Sequence, residues 1–380
     1  MRRVRSRPFD SALACAIAGI FFYVVALTAP FLEARLYGGF RVSNLSSGLF
    51  ALDNENIWGL AAVVALTTVV MPLIKLLGLF IVLVALRLER PPHWIAHLFG
   101  WLKHLNTWTM IEVFMLGFLV AYMRLEAIMQ VDIGIAVYAL AGVMVAMAGI
   151  DAALDPEAVW EEMERRQVVK TANGTGRELL GCDVCHKVSC GCPHDDCPRC
   201  GAELYARKPD SFNRAWAFTV AAAILYIPSN WFPVMTVSKF GKVQSYTIFG
   251  GLREFVHVGL WPLALLVFVA SIAIPLFKLV SIAYMLIETH RGSAAHLRGR
   301  TRLYRIVDFI GRWSMVDIFM VSILVALVHF GVFVQITANV GAMYFGSVVV
   351  LTMLAVASFD PRFMWDAASA RAPRRAAVAA

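Results

Sequence analysis

Met71-Pro72-Leu73-Ile74-Lys75-Leu76 and, 203 residues further on, Ile274-Pro275-Leu276-Phe277-Lys278-Leu279 are the two stretches that decide the fold. Each sets a proline and, three residues later, a lysine inside a long apolar run. Runs of about 20 apolar residues are long enough for a helix to cross a hydrocarbon core, where every backbone polar group must be satisfied within the segment. Proline frees a backbone carbonyl there, and an ionisable lysine is costly unless paired or hydrated. Apolar helices resemble one another by composition alone, but a proline and a lysine at matched depth do not recur for that reason. The pair of stretches therefore predicts duplicated membrane helices.

Working outward, Trp108-Thr109-Met110-Ile111-Glu112-Val113-Phe114-Met115 matches Trp313-Ser314-Met315-Val316-Asp317-Ile318-Phe319-Met320 at an offset of 205, as does Asp155-Pro156 with Asp360-Pro361. Ala29-Pro30-Phe31-Leu32 lines up with Phe232-Pro233-Val234-Met235. Apolar runs predict eight helices, near 11–32, 57–86, 108–126 and 131–150, then 214–235, 256–287, 313–333 and 336–357. Four spans per unit is an even number, so the units should be parallel rather than inverted repeats. The expected fold is an all-α polytopic membrane protein. It comprises a first four-helix repeat (1–150), a linker with a cysteine module at 182–201 (151–213), a second four-helix repeat (214–360) and a tail (361–380).

Composition agrees. The chain is 59% hydrophobic and 16% charged, with a mean hydropathy of +0.69, whereas soluble domains carry about 25% charged residues. That balance argues against a water-soluble enzyme. The formal charge of +8 lies beside the spans rather than in one stripe, so it reads as topology-setting charge and not as a nucleic-acid surface. Arg2, Arg3, Arg5 and Arg7, the loop with Arg87, Arg90 and Lys103, the loop from Arg291 to Arg312, and the tail with Arg371, Arg374 and Arg375 all fall on one side. The excess of Lys and Arg makes that side cytoplasmic, with both termini and the cysteine module on it. No small-residue cleavage site follows the first apolar run, which is expected to be a retained helix.

Several polar residues lie within the spans. Pairing of Lys75 with Glu112, repeated as Lys278 with Asp317, would offset the cost of buried charge and tie two helices in each half. The alternatives are snorkelling to the interface, or a part in ion coupling or headgroup handling. Pro228 and Pro233 flank Asn230 at the end of the fifth predicted helix. They predict a distorted helix end, which either lines a polar cleft or anchors Trp231 at the interface.

Six of the seven cysteines fall within 19 residues. Cys182-x2-Cys185 and Cys197-x2-Cys200 offer two thiolates from each of two tight knuckles, the donor set for one tetrahedral structural zinc. An Fe–S centre or a disulfide switch uses the same residues, although a reducing cytoplasm favours metal. Cys190 and Cys192 are auxiliary thiols that either exchange with the main ligands, form a redox pair, or are incidental. No three-ligand-plus-water pattern, phosphate-binding loop or dinucleotide fingerprint is present, so neither catalysis nor ATP hydrolysis is expected.

These residues resemble the paraquat-inducible protein A family of Gram-negative inner membranes. The resemblance rests on the four cysteines, Arg214-Ala215-Trp216, Tyr226 through Thr236, Thr247-Ile248-Phe249-Gly250-Gly251 and the Pro-x-x-Lys-Leu helix of each half. It implies a multi-pass inner-membrane component of an envelope-spanning lipid transport system. Such a component loads or receives phospholipid or other lipid from a periplasmic MCE-domain tunnel protein, in some systems with an outer-membrane lipoprotein. A non-transporting scaffold and a redox-responsive membrane protein are the competing readings. Family members commonly carry a cysteine module before each half, whereas here no cysteine pair precedes the first helix. The first-half counterpart of the Pro-x-Asn-x-x-Pro turn is Leu27-Thr28-Ala29-Pro30, so any substrate site is expected in the second half, near Asn230, Lys278 and Asp317.

Overall fold

The computed structural model describes residues 8–36, 39–44, 58–105, 108–126, 130–169, 178–239, 242–257, 259, 261–293, 295–327 and 334–376. The basic N-terminal residues Arg2 to Arg7 and positions 328–333 of the seventh expected span lie outside the described residues.

The first half runs α1 (Pro8–Thr28), β1 (Leu32–Leu36), β2 (Gly39–Ser43), α2 (Trp58–Ala65), a π-helical turn (Leu66–Val70), α3 (Met71–Ala85), α4 (Trp94–Leu105), α5 (Ile111–Glu126), β3 (Gln130–Ile133) and α6 (Ile135–Ala153). A central segment holds α7 (Pro156–Arg165) and the ribbon β4 (Glu178–Gly181) and β5 (Val188–Gly191). The second half begins with α8 (Ser211–Trp231), β6 (Met235–Lys239), β7 (Lys242–Tyr246), α9 (Ile248–His257) and α10 (Trp261–Phe268). It continues through a π-helical turn (Val269–Ala273), α11 (Ile274–His290), α12 (Leu297–Gly311), a 3₁₀ turn (Arg312–Met315), α13 (Val316–Leu327), β8 (Val334–Ala338), α14 (Val340–Ser358) and α15 (Arg362–Ala376).

Five helices are long and apolar enough to cross a membrane: Phe9–Thr28, Ala61–Ala85, Ile135–Ala153, Ala264–His290 and Val340–Ser358. The other three expected spans coincide with α5, α8 and α13. Of these, α5 contributes only a shorter apolar stretch, Ile111–Met123. In α8 the apolar run is diluted by Asn213, Arg214, Thr219, Ser229 and Asn230, and the described part of α13 is 12 residues long.

The all-α expectation needs correcting. Four expected helix ends are extended chain: Leu32, Met235, 131–133 and 336–338 lie in strands. They build two antiparallel three-stranded sheets with the same order, β2-β1-β3 and β7-β6-β8. Hydropathy misled here because Leu32, Met235 and Ile336 are buried beneath the sheets. Once the chain leaves hydrocarbon, apolar residues can be buried in sheets as well as in helices. The basic loops after the second and sixth spans are also partly helical, as α4 and α12. Trp94, Trp101, Ile306 and Phe309 are exposed on them, which is the pattern of interfacial amphipathic helices.

Elements recur in the same order at the offsets read from sequence. The π turns before Met71 and Ile274 sit 203 residues apart. A π turn leaves carbonyls without their ordinary partners, and matching hydroxyls reach them: Thr68 donates to the carbonyl of Val64, and Ser271 to that of Val267 at 2.7 Å. The strand-to-helix corners match too, with Gly134 N–H donating to Phe31 O (3.1 Å) and Asn339 N–H to Val234 O (2.9 Å). The halves meet through α5 and α13. A Cβ on Gly117 would lie 2.9 Å from that of Phe319 and 3.0 Å from the Val316 carbonyl, and the Phe114 and Phe319 rings stack edge-on at 5.5 Å. Buried residues from both halves form one apolar core there.

Candidate metal centre and membrane cavities

Cys182 follows β4 directly and Cys185 precedes β5, so the ribbon fixes the first knuckle. In that knuckle His186 N–H donates to Cys182 O (3.0 Å), and in the second Gly201 N–H donates to Cys197 O (2.9 Å). His186 and Gly201 both take left-handed backbone, at φ 57° and 70°, so the chain turns back after each cysteine pair in the same way. The four sulfurs are buried and lie within 4.8 Å of one another. Two of the separations are 3.5 Å (Cys182–Cys200) and 3.6 Å (Cys185–Cys197). A tetrahedron of Zn–S bonds near 2.3 Å sets sulfurs about 3.8 Å apart, so the cluster fits a metal of that size with little adjustment. Hydrogen bonding among the four thiols lowers Cys182 and Cys197 and raises Cys185 and Cys200, so the group shares its protons unevenly. Cys190 is half-buried in β5 and Cys192 is exposed; neither joins the four-sulfur group.

The module is docked rather than tethered. Glu164 of α7 accepts from Arg199 Nε (2.8 Å) and Lys187 Nζ (3.2 Å). Burial raises the Glu164 carboxyl, but these two cations outweigh it and hold the group below its ordinary value. Fully buried Trp160 packs edge-on against Phe99 of α4, with ring centroids 5.2 Å apart. Gly201 approaches His97 of α4 so closely that a Cβ there would strike the imidazole.

Within the helices, the first-half lysine is placed differently from expectation. Lys75, with its side chain 7% exposed, meets Asp151 of α6 at 3.2 Å, and Asp151 is half-exposed. Sequence reading did not name Asp151. Glu112, the expected partner, is exposed and lines a small cavity of about 70 Å³ with Lys75, Thr109 and Asp151. Lys278 is wholly buried on α11. Among the described residues its Nζ donates to Ser314 Oγ at 3.1 Å and Gly311 O at 3.4 Å. The Asp317 side chain lies outside the described residues.

Pro72 and Pro275 stand inside the continuous helices Ala61–Ala85 and Ala264–His290, directly after the π turns, where the missing N–H interrupts the backbone ladder. The helix α8 continues through Pro228 and ends at Trp231, ahead of Pro233. Asn230 Nδ2 donates to Tyr226 O of the same helix at 2.8 Å, while its buried Oδ1 has no partner among the described residues. Asn230 and Lys278 are not brought together. The first closes α8 at the sheet end, whereas the second lies 14 residues past Ala264 within the 27-residue apolar helix that ends at His290.

A narrow apolar slot of about 50 Å³ opens beneath the second sheet, between α9, α11's preceding turn, α13 and α14. Thr247, Gly251, Phe255, Ser271, Val321 and Phe345 are among its walls. Lys278 follows Ser271 by seven residues, two helical turns, so it lies about 10 Å below on nearly the same face. On the other side of α14 a cleft of about 340 Å³ runs between the halves, with Gly59 and Val63 on α2 facing Leu225, Met343 and Gly346.

Fold and site define a polytopic helical membrane protein carrying a four-cysteine centre suited to a metal ion. The sequence model described as Paraquat-inducible protein A matches residues 9–164 and 212–369, and the chain belongs to that family. It is 29% identical to the Intermembrane transport protein PqiA of Escherichia coli (strain K12), over 94% of this chain and 87% of the relative. It is also 29% identical to the Lipophilic envelope-spanning tunnel protein A of the same organism, over 70% of this chain and 61% of the relative. Similarity to the Probable intermembrane transport protein of Haemophilus influenzae is 26% over 92% of this chain and 85% of the relative. No solved structure matches.

Proposed function

We propose that this chain is a non-enzymatic inner-membrane component of an envelope-spanning lipid transport system, built from two parallel four-helix repeats. It exchanges lipid with a periplasmic MCE-domain tunnel protein, in some systems joined by an outer-membrane lipoprotein. The cysteine module and both termini face the cytoplasm, and Cys182, Cys185, Cys197 and Cys200 hold one structural zinc that fixes the module against α4 and α7. The observation that carries the reading is the apolar slot under the second sheet, with Ser271 in its wall and buried Lys278 two turns below. With about 50 Å³ of room the slot takes at most the tip of one acyl chain, and the cleft of about 340 Å³ beyond α14 supplies the larger apolar space that a lipid needs. The cleft on the far side of α14 offers lipid a lateral approach between the halves. The printed names of the relatives, with their reference to intermembrane transport and a lipophilic tunnel, point the same way.

The test is affinity purification of the full chain in mild detergent, with co-purifying proteins and lipids identified by mass spectrometry. A Cβ on Gly251 meets nothing within 4 Å, so Gly251→Leu fills the slot without a backbone clash. Transport predicts that the tunnel partner is retained and lipid lost in Gly251→Leu and in the Lys278→Gln/Asp317→Asn pair. A scaffold predicts the partner with no specific lipid in either wild type or variants, and that result would overturn the proposal.

A further inference from the structure

A second cavity lies in the first half, on the side that carries the cysteine module. It measures about 450 Å³, within the roughly 300–1,000 Å³ of small-molecule sites. Leu79 of α3, Phe99 and Leu102 of α4, and Leu154 supply apolar walls. Lys75, Lys103 and Asp151 supply charge, and His186 of the first cysteine knuckle closes one edge. Three features narrow the ligand. The cavity is amphiphilic, so a fully hydrated ion uses only part of it. Two ammonium groups face it, which suits a phosphate oxyanion. One carboxylate faces it as well, only 3.2 Å from Lys75 and half-exposed. That carboxylate disfavours a simple anion and leaves an acceptor for a cation.

We infer that this cavity binds the headgroup of a zwitterionic phosphate-and-ammonium amphiphile from the leaflet on the module side. The phosphate is held by Lys75 and Lys103, the ammonium by Asp151, and the first methylenes lie along Leu79, Phe99 and Leu102. The site is distinct from the second-half slot: no residue is shared between the two linings. The inference rests on the lipid-handling reading for its choice of an amphiphile, and it adds a charge class and a second position. Among the described residues Lys103 has no hydrogen-bond partner that competes with a ligand phosphate.

The full chain, purified with its metal, is titrated with short-chain phosphatidylethanolamine, phosphatidylglycerol or soluble glycerophosphoethanolamine, and binding is read by native mass spectrometry. Wild type should favour phosphatidylethanolamine, and Lys103→Gln should weaken it about tenfold, the loss of one charge-assisted contact. Asp151→Asn should reverse the preference toward phosphatidylglycerol, because it removes the ammonium acceptor and unmasks Lys75. That sign reversal is a readout a merely structural ion pair would not give. Unchanged affinities in both variants would overturn the inference. Glycerophosphoethanolamine binding as tightly as the lipid would assign the cavity to a soluble phosphodiester and also overturn it. The co-purification separates this site from the transport reading. Recovery of the tunnel partner with no specific lipid, alongside the expected charge reversal here, removes that reading and leaves this site standing; persistent lipid transfer in Gly251→Leu removes only the second-half slot from the path.

Discussion

Lys278→Met removes a buried ammonium from α11 and puts a side chain of similar length in its place. If the lysine is held for function, its removal relieves a desolvation penalty of several kcal/mol and loses two charge-assisted hydrogen bonds worth about 1.5–3 kcal/mol each. Ser314 is not orphaned, since its hydroxyl also donates to Gly311 O at 2.9 Å. The balance predicts a variant as stable as wild type or slightly more stable, with lipid transfer lost. If instead Lys278 is one partner of a purely structural buried ion pair, removing it leaves the other charge uncompensated and costs about 3–5 kcal/mol. The two accounts thus differ in sign. Reversible unfolding by denaturing detergent measures stability, and transfer of labelled lipid from reconstituted vesicles measures function. A large loss of stability rescued by adding Asp317→Asn, with transfer restored in the double variant, would refute the functional argument.

The cysteine cluster should bind one zinc per chain by elemental analysis; Cys197→Ser should abolish it, whereas Cys190→Ser and Cys192→Ser should retain it. Gly201→Val should loosen the module from α4, because the position has φ 70° and a Cβ would strike His97; faster proteolysis between 166 and 210 is the readout. The Glu164 carboxyl titrates lower folded than unfolded, so its contribution to docking is complete above the ordinary glutamate range near 4.3 and is lost as pH falls through the lowered folded value. Proteolysis of the module with an acid-active protease should accelerate on that descent in wild type, and the acceleration should be absent in Glu164→Gln. Gly117→Val should separate the halves without disturbing zinc content, measured as lower thermal stability of the full chain in detergent, because no space exists beside Phe319 for a branched side chain.

Sequence reading captured features whose physical cause is local. Hydrocarbon demands long apolar helices, so α1, α3, α6, α11 and α14 were visible within a few residues. Two cysteine knuckles are self-contained, and their four sulfurs meet as expected. The matched prolines and lysines marked the sites where the structure places the two π turns. What escaped needed tertiary information. The strands are short and mixed in polarity, so β2, β7 and most of β1 and β6 fall in the loops between expected spans and only the apolar ends of the others read as helix, although the matched prolines of Ala29-Pro30 and Phe232-Pro233 stood at the sheets' entrances. The amphipathic pattern of Trp94, Phe99 and Trp101, three and four residues from apolar neighbours, was available to reveal α4 but lay hidden among basic loop residues. Asp151 was missed because its partner Lys75 lies 76 residues away in sequence, and nothing in an isolated carboxylate at a helix end reports that distance.

The same comparison explains why the halves are not equivalent in what they can hold. At the offset of 205, the second-half residue matching Asp151 is Val356, so Lys278 loses the carboxylate that Lys75 has. Lys75 therefore sits at the junction of two cavities on the module side, while Lys278 is sealed beneath a slot that opens toward the sheet. Tyr23 adds to the contrast: its hydroxyl donates to Val69 O at 2.6 Å, plugging the first π turn, and Thr68 beside it is buried. Ser271, the match of Thr68, is equally buried but stands in the wall of the slot. One half is open at the end with the metal centre and the other at the end with the sheet, which is the arrangement expected if lipid is taken up on one side and delivered on the other. Tyr23→Phe tests the plug. It should leave the zinc and the second-half slot untouched, yet free the Val69 carbonyl in hydrocarbon at a cost of about 1–3 kcal/mol. A variant as stable as wild type would mean that the π turn needs no partner there, and the contrast between the halves would then rest on the two lysines alone.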